Sequence, residues 1–307
     1  MIRYRGIAAA CLAAAQFVTG CAASTSDGSA DPGRPTVVVT FPALGAVVRE
    51  IVGDLADVTV LMPNGADPHQ WSPSARDVER MLDADLIVDN GLGLEAHLQD
   101  PLDQVSAKGI PIFTVSDHVT VRTVKPGEGA EPDDPDQVAG ADDPHLWMDP
   151  LTMREWVDPF AKAMSGLGIA VAAGAAAVTD ELGRLDAEVR TLVGKVPADR
   201  RRLVTGHESM GYFAERYGFE LIGAVVPAIS SQAEPSAGEL AALIEQIRRF
   251  DVPAVFAELG TPTSTIEAVG TDTGANVVEL STHTMPGDGR YSTFILDIAN
   301  TVSRALA

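Results

Sequence analysis

Cysteine is nearly absent from this chain of 307 residues, which has only Cys11 and Cys21. Aromatic side chains make up 5%, and 22 Lys and Arg stand against 43 Asp and Glu, for a formal charge of −21. With so few basic residues, a nucleic-acid binder that works by neutralising phosphates is excluded. The carboxylate surplus suits attraction of cations. No uninterrupted apolar run reaches the about 20 residues that span a bilayer. Residues 163–179 come nearest, but they are mostly Ala and Gly. They run straight into Leu182, Leu185, Val189, Leu192 and Val193 at helical spacing, which marks a helix of soluble protein. What remains is an ordinary globular composition, 46% hydrophobic and 21% charged, long enough for about two domain-sized units.

The first residues do not belong to the fold. Arg3 and Arg5 open a short apolar run, IAAACLAAAQFV, which together read as a signal peptide over 1–20. The run ends in VTGC, which resembles a bacterial lipobox with cleavage before Cys21 and lipid attached to it; a plain secretory leader with an incidental Cys is the other reading. Several acyl chains on Cys21 anchor a protein stably where a single chain does not. Cleavage removes Arg3, Arg5 and Cys11, taking the formal charge from −21 to −23. Cys21 is then the one cysteine left, and no internal disulfide can form. Residues 21–35 are a polar, lipid-anchored linker. The expected location is the cell membrane, on its extracytoplasmic face.

The rest predicts an α/β fold. TVVVTF (36–41), VTVLM (58–62), ADLIVDN (84–90) and IPIFTV (110–115) are short runs rich in β-branched residues, separated by helical windows such as SARDVERMLDA. After the middle of the chain, RRLVTG, FELIGAVV, VPAVFAEL and ANVVEL alternate with helices in the same way, and YSTFILDIANTVSRALA closes the chain as an amphipathic helix. Buried parallel strands alternating with helices account for both halves. The expectation is two similar lobes with central, mostly parallel sheets, at 36–158 and 197–307, joined by one long helix over 159–196. Residues 125–143 form an acidic Pro/Gly-rich loop of the first lobe. It carries Glu128, Glu131, Asp133, Asp134, Asp136, Asp142 and Asp143 and no His, and it is either a collector of cations or a solvated loop.

Function turns on six histidines. His97 and His118 read as surface or packing residues. His69, His207 and His283 each follow a strand-like run, and His145 ends the acidic loop. Ligands of open α/β sheets bind beyond the carboxyl ends of the strands, where two facing lobes would bring these four imidazoles together. Four nitrogens suit a borderline divalent ion such as Zn²⁺ in a closed tetrahedral site. The separations of 76, 62 and 76 residues match neither a zinc finger nor a His-Glu-x-x-His helix. On the residues alone, an ion site and four unrelated histidines both stand.

The local sequences add a resemblance. NGADPHQWSPSARDV, DDPHLWMDP, and HESMGYFAERYGFELIG followed by QAEPSAGELAALIEQI resemble the zinc/manganese-binding lipoproteins of metal ABC importers, the cluster A-I solute-binding family, from Thr36 to Leu306. The resemblance implies two α/β lobes joined by a long helix, an ion held between them, a membrane permease as partner, and transport rather than catalysis. It implies ligands at His69, His145 and His207. The fourth place, commonly Asp or Glu in the family, is held here by His283, with Asp288 as the competing candidate. Glu208 and Glu258 are candidates for orienting an imidazole and restoring negative charge. Asp67, Asp143 and Asp149 read as turn caps around their histidines; Trp71, Trp147, Tyr212 and Phe213 read as apolar walls. Nitrogen-rich ligation favours Zn²⁺ as cargo over Mn²⁺, which prefers oxygen. The alternatives are Mn²⁺ or Fe²⁺ in the same role, a metal-dependent surface adhesin, and a zinc hydrolase with Glu208 as base. A monomer is expected.

Overall fold

The computed structural model describes residues 33–125 and 139–307. The leader, Cys21, most of the linker and residues 126–138 of the acidic loop lie outside the described residues. Among the described residues, no helix is long and apolar enough to cross a membrane.

The first lobe alternates β1 (Thr36–Val39), α1 (Pro42–Val52), β2 (Asp57–Val60), α2 (Ala75–Leu82), β3 (Leu86–Asp89), α3 (Gln99–Ala107) and β4 (Ile112–Thr114). All pairings are parallel, in the order β2-β1-β3-β4. Val37, Val38 and Val39 and the whole of β3 are buried, as strands covered on both faces must be. Pro42 opens α1, where its missing N–H costs nothing. Ser74 and Asp77 close a reciprocal capping box on α2.

The connection departs from the expected single helix over 159–196. After α4 (Pro150–Glu155), the chain forms α5 (Val157–Gly166) and, separately, α6 (Ala172–Val193). Gly168 takes φ +81°, its N–H donates to the Ser165 carbonyl and the Ile169 N–H to the Met164 carbonyl. This is a Schellman closure, which a glycine after the last turn makes cheap. The Ala-rich period hides the stop. The 22 residues of α6 span about 33 Å and bury Ala175, Val178, Leu182, Leu185, Val189 and Val193 along one stripe. Gly174 lets α6 close on α1, because a Cβ there would overlap the Ile51 carbonyl.

The second lobe runs β5 (Arg202–Thr205), α7 (Gly211–Tyr217), β6 (Glu220–Ala224), α8 (Ala237–Phe250), β7 (Ala254–Ala257), α9 (Thr263–Thr273), β8 (Asn276–Glu279) and α10 (Tyr291–Leu306). β5 pairs with β6 and β7 with β8, both parallel, while β5 lies alongside β7. Taken by neighbours, the order β6-β5-β7-β8 matches that of the first lobe, but among the described residues it is split into two two-stranded sheets with no ladder between β5 and β7.

One apolar core runs through both lobes, from Val37 and Phe41 through Trp147 and Trp156 to Phe213, Phe256 and Tyr291. Smaller clusters lie within each lobe. Polar ties cross at the same level. Trp147 Nε1 donates to the Thr282 carbonyl at 3.0 Å, and the Tyr291 hydroxyl donates to the Trp147 carbonyl at 2.7 Å. Asn64 exchanges two hydrogen bonds with the Met285 backbone, at 2.7 and 2.9 Å. A shared core resists wide hinging, since separating the lobes would expose these side chains to water.

Candidate metal centre

The four histidines expected to converge do so between the carboxyl ends of the two sheets. Each offers a ring nitrogen, and these atoms all lie within 4.8 Å of one another. His69, His145, His207 and His283 are at most 5% exposed. His69 Nε2 lies 3.2 Å from His145 Nε2, close to the edge of about 3.3 Å in a tetrahedron with metal–nitrogen bonds of about 2.0–2.1 Å.

Local folding explains each placement. His69 follows β2, and its backbone N–H donates to Asp67 Oδ1 at 3.0 Å, fixing the turn. His145 leaves an antiparallel stem in which Thr123 faces Asp142, and it enters the short 3₁₀ turn Leu146–Met148. His207 comes one residue past Gly206 at the end of β5; a Cβ on Gly206 would press on Thr261 and Glu258. His283 follows Thr282, whose carbonyl Trp147 holds. Trp147 forms a wall, with its ring centre 5.3 Å from that of His145 and 5.8 Å from that of His283.

Two buried carboxylates back the imidazoles. Asp143, expected only to cap a turn, accepts from both the backbone N–H and Nδ1 of His145, at 3.0 and 2.9 Å, and its other oxygen accepts from Arg122 Nη1 at 2.9 Å. Glu258 accepts from the Gly206 N–H at 3.0 Å, from the Ser209 hydroxyl and from the Thr282 hydroxyl at 2.8 Å. It also lies 3.5 Å from His207 Nδ1, without forming a hydrogen bond. Both ring nitrogens of His207, and Nε2 of His283, are buried without a hydrogen-bond partner. Buried polar atoms are rarely left so, and an ion is the partner that suits converging bare nitrogens.

Burial pushes His69 and His207 well below the ordinary imidazole range, and the neighbouring imidazoles push them further. Burial, then His145, lowers His283 to about 3. These histidines are therefore neutral at pH 7, the form that binds metal. Burial raises Glu258 from its ordinary value, and the hydrogen bonds it accepts from Ser209, Thr282 and Gly206 work against that rise.

The other candidates fall elsewhere. Asp288 is exposed in the turn before α10, accepting from the Arg290 N–H at 3.0 Å and the Thr293 hydroxyl at 2.7 Å, and is not among the converging donors, whereas His283 is. Glu208 is buried beside His207 but is not among the converging donors. His97 is exposed, and His118 is exposed and stacks on Phe113 with centres 4.4 Å apart. Asp149 caps α4 and pairs with Arg216. Arg122 and Thr282 went unnoticed in the sequence, because only tertiary contacts bring them to the site. An open cleft of about 220 Å³ reaches His69, lined on one side by Gly93, Asp142 and Pro144 and on the other by Ser230 and Gln232.

Two α/β lobes with a shared core and four buried, converging imidazoles between them define a metal-binding protein of the two-lobed solute-binding class. The family profile described as "Zinc-uptake complex component A periplasmic" matches residues 37–305, and the chain belongs to that family. Its members are extracytoplasmic solute-binding components of metal ABC importers, transport proteins and not enzymes. The chain is 32% identical over 275 residues to the zinc-binding protein TroA of Treponema pallidum, covering 88% of this chain and 84% of that one. It is 28% identical over 268 residues to the manganese-binding lipoprotein MntA of Halalkalibacterium halodurans (86% and 84%) and 28% identical over 243 residues to the iron-binding protein YfeA of Yersinia pestis (78% and 74%). The solved structure of the Treponema pallidum protein superposes with a TM-score of 0.77 at 27% identity, covering 90% of this chain and all of that one.

Proposed function

We propose that this chain captures Zn²⁺ between its lobes and hands it to the membrane permease of an ABC importer, with His69, His145, His207 and His283 as the ligands and Cys21 as the lipid anchor. The coarser role, delivery of a divalent metal to such an importer, follows from the family. The choice of zinc rests on one observation, a donor cluster made of nitrogen alone. Zn²⁺ accepts four imidazoles in a closed tetrahedron, whereas Mn²⁺ favours oxygen donors and a larger number of them. A second reading keeps the role and changes the cargo to Mn²⁺ or Fe²⁺. It is favoured by the relatives, whose names divide between zinc, manganese and iron.

Capture needs no covalent step. His69, His207 and His283 are already neutral at pH 7, so the ion does not have to displace protons from these three. Two positive charges enter a first ring of neutral donors, and Glu258, buried behind His207 and Thr282, offsets part of them. The common core confines loading and release to local rearrangement of the loops around the cleft at His69, with Asp142 at its edge drawing cations in.

Titrating the wild type and His283→Ala with Zn²⁺ and Mn²⁺ in chelator competition tests this reading. The expected result is a wild-type preference for Zn²⁺ that falls sharply in the variant. Unchanged Zn²⁺ affinity in His283→Ala would remove that ligand from the set.

A further inference from the structure

Thr282 lies between a carboxylate and an imidazole of the cluster. Its hydroxyl oxygen is 2.8 Å from Glu258 Oε2 and 3.1 Å from His283 Nδ1. A hydroxyl carries one proton, and a carboxylate only accepts. Glu258 is surrounded as an acceptor, since the Gly206 N–H and the Ser209 hydroxyl also donate to it. The Thr282 proton therefore points to Glu258, and a lone pair faces His283 Nδ1. That second contact is a hydrogen bond only when Nδ1 carries the imidazole proton. A neutral imidazole has a single N–H, so Nε2 is then bare, and Nε2 is the buried nitrogen of His283 that no protein group meets.

We propose that Thr282 is a positioning residue that sets the tautomer of His283, relaying the Glu258 carboxylate through one hydroxyl so that Nε2 presents its lone pair to the ion. The proposal rests on His283 being a ligand. It extends that reading to a residue that touches neither ion nor solvent. In the first lobe the same task needs no relay, because Asp143 Oδ1 accepts directly from His145 Nδ1 at 2.9 Å. Behind His283 the carboxylate is one group further away, and the threonine spans the gap. A carboxylate in the place of His283 would have no tautomer to set, so the relay is tied to having an imidazole at this position. The backbone of Thr282 is held separately, by Trp147 Nε1 on its carbonyl, so a change of side chain leaves the loop anchored.

The test compares Thr282→Val, which keeps the shape and removes the hydroxyl, with Thr282→Ser, which keeps the hydroxyl. Both are made in the wild type and in His283→Ala. Zn²⁺ affinity is read by chelator competition, and thermal unfolding of the metal-free proteins reports folding. Thr282→Val is expected to weaken Zn²⁺ binding by about 10–100-fold, the usual effect of removing the partner of a ligating histidine, while Thr282→Ser stays close to wild type. In the His283→Ala background, Thr282→Val should add no further loss, because the two residues act as one unit. Nitrogen-15 spectra of the zinc-loaded wild type should show the His283 proton on Nδ1. The relay is overturned if Thr282→Val costs as much in His283→Ala as in the wild type, if it costs nothing while His283→Ala is weak, or if the proton sits on Nε2. Equal Zn²⁺ affinity in wild type and His283→Ala would overturn the ligand reading and the relay with it.

Discussion

The two lobes share a winding and each contributes two histidines, yet they support them differently. In the first lobe, Asp143 behind His145 is neutralised by Arg122, an ion pair almost fully removed from solvent. In the second lobe, Glu258 is met by a backbone N–H and two hydroxyls, and among the described residues no Lys or Arg forms an ion pair with it. The first arrangement is complete without an ion and holds His145 rigidly. The second keeps a carboxyl whose negative charge becomes favourable when a cation arrives. Similar folds have thus been given two tasks, one half fixing geometry and the other supplying charge.

Three changes would break or sharpen this contrast. The largest effect is expected from Arg122→Ala, which strands Asp143 as a buried carboxylate. It should lower the stability of the metal-free protein by about 3–5 kcal/mol, read as a shift in the denaturant midpoint. A loss near zero would mean that Asp143 does not depend on its cation. Glu258→Gln removes the charge while keeping the shape, and should spare metal-free stability but weaken Zn²⁺ by about 10–100-fold. Isothermal competition against a chelator measures it, and equal affinities would return the charge role to some other group.

The smallest effect concerns Glu95, a buried first-lobe carboxyl outside the histidine cluster. It accepts from the Thr40 hydroxyl at 2.5 Å, and burial, then the charge of Asp89, raises it to about 8. An acid raised in the folded state keeps its proton between its unfolded value of 4.5 and about 8, while the unfolded chain loses its own. The unfolded state then binds fewer protons, so stability falls as pH rises through that window. Glu95→Gln should therefore raise the melting temperature by a few degrees at pH 8, about 1 kcal/mol, and by less at pH 5. A gain that does not vary with pH would show that Glu95 is already ionised in the fold.

Much of this was legible in the sequence, for identifiable reasons. The runs at 36–41, 84–90 and 110–115 each contain the strand the fold builds, and the run at 58–62 overlaps β2, which starts one residue earlier at Asp57, because parallel strands favour consecutive β-branched residues and leave that mark on the chain. The four histidines stood out because each follows a strand or closes a loop, the place where an open α/β sheet binds ligands. Other features were hidden by composition or distance. α3 is short and weakly patterned, and it was not foreseen. The stop at Gly168 was masked by the uncharged, Ala-rich stretch around it, whose many alanines favour helix on both sides of the break. Asp143 reads as a turn cap until the fold brings Arg122 to it from 21 residues away. Thr282 gives no signal by itself, since its role depends on Glu258, 24 residues earlier and just past the end of β7.

The central claim, a nitrogen-only site built for zinc, is tested most directly by metal analysis of the protein isolated from cells without added metal. The account predicts zinc at about one ion per chain, with little manganese or iron. Manganese or iron in its place, with zinc absent, would contradict it.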